Sequence, residues 1–424
     1  MNYERTVHAA RSTSDYVFHQ LVPYIGSKRK LLGLIAEALV RTDVQPEAST
    51  FADLFAGSGV VARFAKRQGF AVVANDWEPY AEAINTAYVG CNAAPTFART
   101  GGYARTIELL NSVPPIEGWV SRHLCPRDDE HPDPDRERMF FLRKNGMRID
   151  AIRSRIEEWS AGGEIDRVER AALLAPLLYA ACYASNTSGV FKGFHRGWGG
   201  ATATALYRIK APVGLAPAIF FDNRRHNTVT CHDARVAAGQ LASDGVRVDV
   251  AYLDPPYNQH PYASNYHVLN TLTLWDAPPL SRTIEGRGSK AAIRTDWRDT
   301  RRSAFNSRAD AAREYQSLLA AIEARWVITS YSTEGNIPLD KLVCANREMG
   351  DVRVCIRPYK RYRVSTQRYS AKPVNAEFVL VTKVGARPTQ SVEEIVDLVR
   401  ASESVAVASH WEARAAAARQ QELL

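Results

Sequence analysis

Apolar residues recur at helical spacing through Leu31, Leu32, Ile35 and Leu39. The pattern then changes: Phe51 to Phe55 is a short apolar run of strand length that stops at Gly57-Ser58-Gly59. Val60 to Arg67 returns to helical spacing and is closed by Gly69, a residue suited to the left-handed cap that ends helices. Ala71 to Ala74 supplies the next strand. From Tyr24 to about Tyr88 the chain thus alternates helix and strand as βαβ units do.

That rhythm is lost between Cys91 and about Thr228. A Pro- and Asp-rich linker, Pro126 to Asp135, is followed by two predicted helices, Arg136 to Trp159 and Glu164 to Ala184. Strand patterning resumes at Val246 to Leu253 and Trp326 to Thr329. Val352 to Ile356 and Glu377 to Val381 read as a late antiparallel pair, and Val392 to Leu424 as a peripheral helical tail. No internal repeat is present. The reading is one α/β sheet domain, 21–90 and 229–385, interrupted by an inserted, largely helical region, 91–228, and followed by a tail, 386–424.

Composition narrows this little. With 46% hydrophobic and 24% charged residues in 424, the chain reads as an ordinary globular protein with room for more than one domain. A net charge of +8 and a pI near 9.1 suit a polyanionic partner without requiring one. Cys91, Cys125, Cys182, Cys231, Cys344 and Cys355 include no CxxC pair, so neither a zinc site nor a disulfide framework is expected. The first twenty residues lack the apolar run of a signal peptide, and Ala171 to Ala184 is too short to span a bilayer. The expected setting is the cytoplasm, with no metal and no membrane partner.

Two short motifs change the picture more. Asp53-Leu-Phe-Ala-Gly-Ser-Gly59 joins a predicted strand to a predicted helix, where glycines permit a tight turn and the helix start offers free amide donors. A plain tight turn with Asp53 as a cap fits the same residues. Asp76 follows the second strand, close to where an acidic residue grips ribose hydroxyls in nucleotide-binding α/β folds. Asp254-Pro-Pro-Tyr257 follows the apolar run Val248 to Leu253, so it lies at the carboxyl edge of the sheet, where such folds bind ligands. Two prolines fix the backbone and remove donors. A carboxylate and a rigid carbonyl can together accept both hydrogens of an amino group, and the tyrosine offers a ring face to a base.

In their order, Tyr24-Ile-Gly-Ser-Lys28, Asp53 to Gly59, Asn75-Asp76 and Asp254 to Tyr257 resemble the Dam-like, D12-class DNA N6-adenine methyltransferases. The resemblance runs from about Tyr24 to Thr382. Ser188 to Trp198, Asn265-Tyr-His267 and Ser330 to Gly335 are similar to the type II restriction-modification members in particular. The resemblance implies a Rossmann-like methyltransferase sheet, S-adenosyl-methionine as methyl donor and double-stranded DNA as partner, with a cognate restriction endonuclease acting separately. It implies that Tyr24, Lys28, Asp53, Phe55, Gly57, Gly59, Asp76 and, on a looser match, Asp233 form the cofactor site. Asp254, Pro255, Pro256 and Tyr257 would carry catalysis. The adenine N6 lone pair is delocalised into the ring. Hydrogen bonds to Asp254 and the Pro255 carbonyl would make that nitrogen more reactive, once the base is flipped out and stacked on Tyr257.

Target recognition is expected in the insertion. Phe191 to Trp198 interleaves aromatic, basic and glycine residues, and Lys192, His195 and Arg196 are candidate DNA contacts. A Gly-rich loop with packed aromatics fits as well. The Arg-rich stretch Arg282 to Arg313 adds Arg298, Arg301 and Arg302 as candidate phosphate contacts, against a merely solvated surface. An RNA base methyltransferase, or a DNA-binding regulator without catalysis, would share parts of this pattern. Both fit less well than a DNA adenine methyltransferase.

Overall fold

β4 (Val248–Leu253) is buried along its whole length, as a strand covered on both faces must be. In the computed structural model, which describes residues 15–360 and 374–421, β4 pairs in parallel with β1 (Thr50–Asp53) and β5 (Ala324–Ser332). β2 (Ala71–Asn75) and β3 (Thr228–Thr230) extend the parallel sheet beyond β1. At the other side β7 (Val374–Val384) runs antiparallel to β5, and β6 (Gly350–Lys360) pairs outside it, giving the order β3-β2-β1-β4-β5-β7-β6. The late antiparallel pair is therefore present, and its second strand fills the sheet before its first.

Helices cover both faces. α1 (Leu32–Val40) and α2 (Val60–Gln68) pack on one side through Leu34, Ile35 and Phe64 against Phe51, Val250 and Ile328. Gly59 and Gly69 bound α2, each in the left-handed region, at φ 80° and 105°. The insertion supplies α4 (Arg143–Ala161) and α5 (Arg167–Ala184), which share a continuous core with α3 (Pro79–Asn85) and α7 (His267–Leu274). α5 begins with a reciprocal cap: Asp166 accepts from the Glu169 amide at 2.8 Å, and Glu169 from the Asp166 amide at 3.0 Å. The opposite face carries α6 (Ala234–Ser243), α8 (Ala311–Ala320), α9 (Leu339–Met349) and α10 (Val392–Gln421).

Three expectations are corrected. The helix expected from Arg136 starts only at Arg143. Ahead of it the Phe140 amide bonds to Leu124 O and the Phe140 carbonyl accepts from Asn186, so these aromatics form a buried cross-link rather than a helix face. β3 was not expected as a strand, being three half-buried residues long. The insertion, for its part, shares its core with the flanking segments: Tyr80, Ile84 and Leu269 join Ile149, Leu173 and Leu177 in one cluster. The tail is not peripheral at its start, because Ile395, Val396 and Val399 are buried under the sheet; residues 422–424 of the expected helix lie outside the described ones. No helix among the described residues is long and apolar enough to cross a membrane.

Candidate active site

The carboxyl ends of β1, β2 and β4 open into a cleft of about 920 Å³, its solvent mouth included. Tyr24, Lys28, Asp53, Phe55, Gly57, Asp76, Asp233, Asp254 and Pro256 all line it, although they come from five separate parts of the chain.

The glycine turn is built by its surroundings. Ala56 N donates to Asn75 O at 2.9 Å, and Gly57 N donates to Asp76 Oδ2 at 2.7 Å. This pins the turn to the end of β2. A Cβ on Gly57 would sit 2.8 Å from the Tyr24 ring, and the residue's φ of 50° already disfavours side chains. Gly59 lies below the cleft rather than in its lining, at the start of α2, where a Cβ would meet Asn85 Oδ1 at 2.5 Å. Burial lifts the Asp76 carboxyl to about 6, against the amide bonds from Glu78 and Gly57 that favour its ionised form. Burial and the Asp254 charge hold Asp53 well above the usual carboxylate range. Asp233 caps α6 through the Arg235 amide at 3.0 Å while its residue lines the cleft.

Around Tyr24 the rings of Tyr262 and Tyr266 lie nearly parallel, at 5.2 and 5.0 Å. Their hydroxyls grip one residue from both sides. Ile25 N donates to Tyr266 Oη at 2.8 Å, and Tyr262 Oη donates to Ile25 O at 3.0 Å. This fixes the segment that carries Lys28. Lys28 Nζ, 3% exposed, then meets Asp254 Oδ1 at 2.8 Å and Gly26 O at 3.0 Å. Tyr257 Oη donates to the same Asp254 oxygen at 2.7 Å. One carboxylate oxygen thus takes two donors, which orients the group and leaves Oδ2 as the acceptor toward the cleft. The Tyr257 ring stands edge-on to Tyr331 at 4.8 Å with Lys28 Nζ 4.6 Å over its face. Pro255 is buried beside it.

The expected DNA contacts lie in different settings. Lys192 and Arg196 are exposed on the insertion loop, Lys192 Nζ being 3.1 Å from His260 Nδ1 and Arg196 paired with Asp135. His195 is held by Asn186, a buried residue the sequence did not single out, which bonds the His195 carbonyl at 2.9 Å and the Gly199 amide at 3.0 Å. Phe191 N bonds Asn265 O at 2.8 Å, so this loop abuts the segment that follows Tyr257. Arg301 lines the cleft, donating to Trp77 O at 3.0 Å and lying over the Trp297 ring. Arg302 is exposed, and the Arg298 side chain lies outside the described residues. The sequence also missed Trp77, Glu78 and Tyr262. Glu78 lines the cleft, and burial lifts its carboxyl to about 7. No group of metal-ligating side chains occurs among the described residues.

A family model for D12 class N6 adenine-specific DNA methyltransferases matches residues 24–307. The chain belongs to this family. The methyltransferase is 29% identical to the type II methyltransferase M.NlaIII of Neisseria lactamica over 84% of this chain and 96% of that protein. It is 30% identical to the type II methyltransferase M.CviAII of Paramecium bursaria Chlorella virus 1, over 81% and 93% of the two chains. With modification methylase LlaI of Lactococcus lactis subsp. lactis it shares 30% identity over 82% of its length, but this covers only 52% of that longer protein. No solved structure matches.

Proposed function

We propose that this methyltransferase takes its methyl group from S-adenosyl-methionine and delivers it to N6 of an adenine flipped out of duplex DNA, as the modifying partner of a restriction endonuclease. The observation that carries the reading is the Asp254 carboxylate, oriented on one oxygen by Lys28 and Tyr257, in the lining of the cleft at the sheet's carboxyl edge. The cleft's chemistry suits a donor that bears a sulfonium and an ammonium group. Asp53, Asp76, Glu78, Asp233 and Asp254 face it, against Lys28 and Arg301.

Tyr24, Phe55, Gly57 and Asp76 would hold the donor, with Gly59 setting the turn beneath and Asp53 and Asp233 completing the wall. When bound, the donor supplies an already activated methyl, so the protein's task is alignment. Asp254 Oδ2 and the Pro255 carbonyl accept the two hydrogens of the amino group and pull its lone pair out of conjugation. Pro256 keeps that carbonyl rigid, and the Tyr257 ring supports the base. Lys192, His195, Arg196 and Arg302 approach the duplex from the insertion and the Arg-rich segment.

Nucleoside mass spectrometry after incubation with S-adenosyl-methionine and either duplex DNA or RNA tests this. N6-methyladenine in DNA is the expected product, and another methylated base, or product in RNA alone, overturns the reading.

A further inference from the structure

Arg138, Met139 and Phe140, three buried residues ahead of α4, hold two loops that lie far apart in the chain. The Arg138 guanidinium, 1% exposed, donates to Ser281 O at 2.7 Å, to Ser289 O at 2.8 Å and to His123 O at 3.2 Å. It thereby closes the loop 281–290, the front of the Arg-rich stretch. Asn186 donates to Met139 O at 3.1 Å and to Phe140 O at 2.8 Å, and its bonds to His195 and Gly199 close the insertion loop. The two loops then meet. Lys290 Nζ lies 5.3 Å over the Phe194 ring, and Phe194 stands edge-on to Phe140 at 5.3 Å. His267 Nε2, 2.9 Å from Phe191 O, ties them to the segment that follows Tyr257. Arg301, by contrast, lines the cleft, so the Arg-rich stretch divides between two sites.

These loops carry three glycines that the fold does not explain. Glycine is costly in backbone entropy, and is kept where φ is positive, where a neighbour leaves no room, or where a ligand approaches the backbone closely. Gly193, Gly197 and Gly288 have no positive φ. A Cβ on any of them would meet no heavy atom of the described residues within 4 Å, the adjoining residues aside. Around them Lys192, Arg196 and Arg282 are exposed and Lys290 is partly so. Two acids stand nearby, Asp135 paired with Arg196 and Glu285 accepting from Ser281. We propose that the two loops form a single face that reads the target sequence in duplex DNA, and that these glycines admit the duplex to the loop backbone. Side chains there would hold the base edges out of reach, while the cations set the register on the phosphates. Loop 281–290 is then a reader of sequence, not only a source of general affinity. The inference rests on the DNA methyl-transfer reading above.

The test uses the full chain carrying Gly193→Ala, Gly197→Ala or Gly288→Ala, with S-adenosyl-methionine and duplexes that hold adenine in randomised flanks. Sequencing that reads N6-methyladenine ranks the sites for each protein, and single-turnover rates are then measured on the wild type's preferred duplex. Because the space is open, each variant should keep or exceed the wild-type Tm and keep its donor affinity. Each should lose about 10- to 100-fold on the preferred duplex, the scale of one mismatched base pair, and far less on poorer sites. Gly239→Ala is the control: its position is equally open but lies on α6, at the opposite face of the sheet, and should match the wild type throughout. Wild-type rates and ranking in all three loop variants overturn the proposal. An effect of the insertion-loop glycines alone, with Gly288→Ala at the wild-type level, overturns the single face. A lowered Tm with the ranking kept is the signature of structural glycines and overturns it too. Absence of N6-methyladenine from the wild-type reaction would instead reject the methyl-transfer reading.

Discussion

Removing Asp254 should do more than stop catalysis, because it strands Lys28. At 2.8 Å, and with an effective dielectric constant near 20, the pair's attraction is about 6 kcal/mol before desolvation is subtracted. Lys28 is 3% exposed and Asp254 17%, so the two sides of the pair are not equivalent. Stranding one partner of a buried pair costs about 3–5 kcal/mol. Asp254→Ala belongs at the low end, about 3 kcal/mol, since Lys28 keeps the Gly26 carbonyl and the Tyr257 ring. Lys28→Met should cost about 1 kcal/mol, because Asp254 is reached by water and keeps the Tyr257 hydroxyl. With both charges gone nothing is stranded, and the double variant should lose only about 1–2 kcal/mol. The coupling is then about 2–3 kcal/mol, and catalysis is abolished in both Asp254 variants. Urea unfolding of the four proteins at a common m value measures it. Additivity within about 0.5 kcal/mol would refute the pairing and, with it, the orientation of Asp254 by Lys28.

Tyr257→Phe should lose roughly 10- to 100-fold in kcat, since the ring stays but a hydrogen bond to a charged group, worth about 1.5–3 kcal/mol, is gone; steady-state kinetics with unchanged KM would bear this out. Tyr257→Ala should be worse still on paired than on mismatched target adenines, followed by 2-aminopurine fluorescence at the target, and equal damage on both would defeat the stacking role. Asp76→Ala should weaken donor binding in calorimetry while sparing DNA affinity. Arg301→Ala should raise the donor's KM and leave the salt dependence of DNA binding intact, whereas Arg302→Ala should lower the salt slope by about one unit. Glu78 holds its proton more tightly folded than unfolded, so its contribution to stability is full at low pH and declines as pH rises through about 7; Glu78→Gln should therefore gain on the wild type in denaturation midpoint between pH 5 and 8.

The strands and turns that position the cleft were legible because each is a local signal. Gly59 and Gly69 bracket one helix, and the apolar run before Asp254 has a single reading once two prolines follow it. Boundaries failed where tertiary packing overrode local pattern. Phe140 and Phe141 look like a helix face but cross-link Leu124, Asn186 and Phe191 instead. Around the cleft, most residues announced by a motif stand in its lining, while other lining residues carried no motif. Trp77 and Glu78 follow Asp76 without any pattern of their own, and Arg301 was read as one charge in a run.

The position of β7 between β5 and β6 has a consequence for a chain emerging from the ribosome. β5 is made first, and its outer edge carries Trp326 to Ser332, whose partners run from Glu377 to Lys383. Until those later residues appear, a long and mostly apolar strand edge is bare, and such edges recruit other chains. β6 is synthesised in the interval yet cannot cover it in the final arrangement, because its own partner is also β7. Any product ending before about residue 384 should therefore aggregate rather than fold to a smaller enzyme.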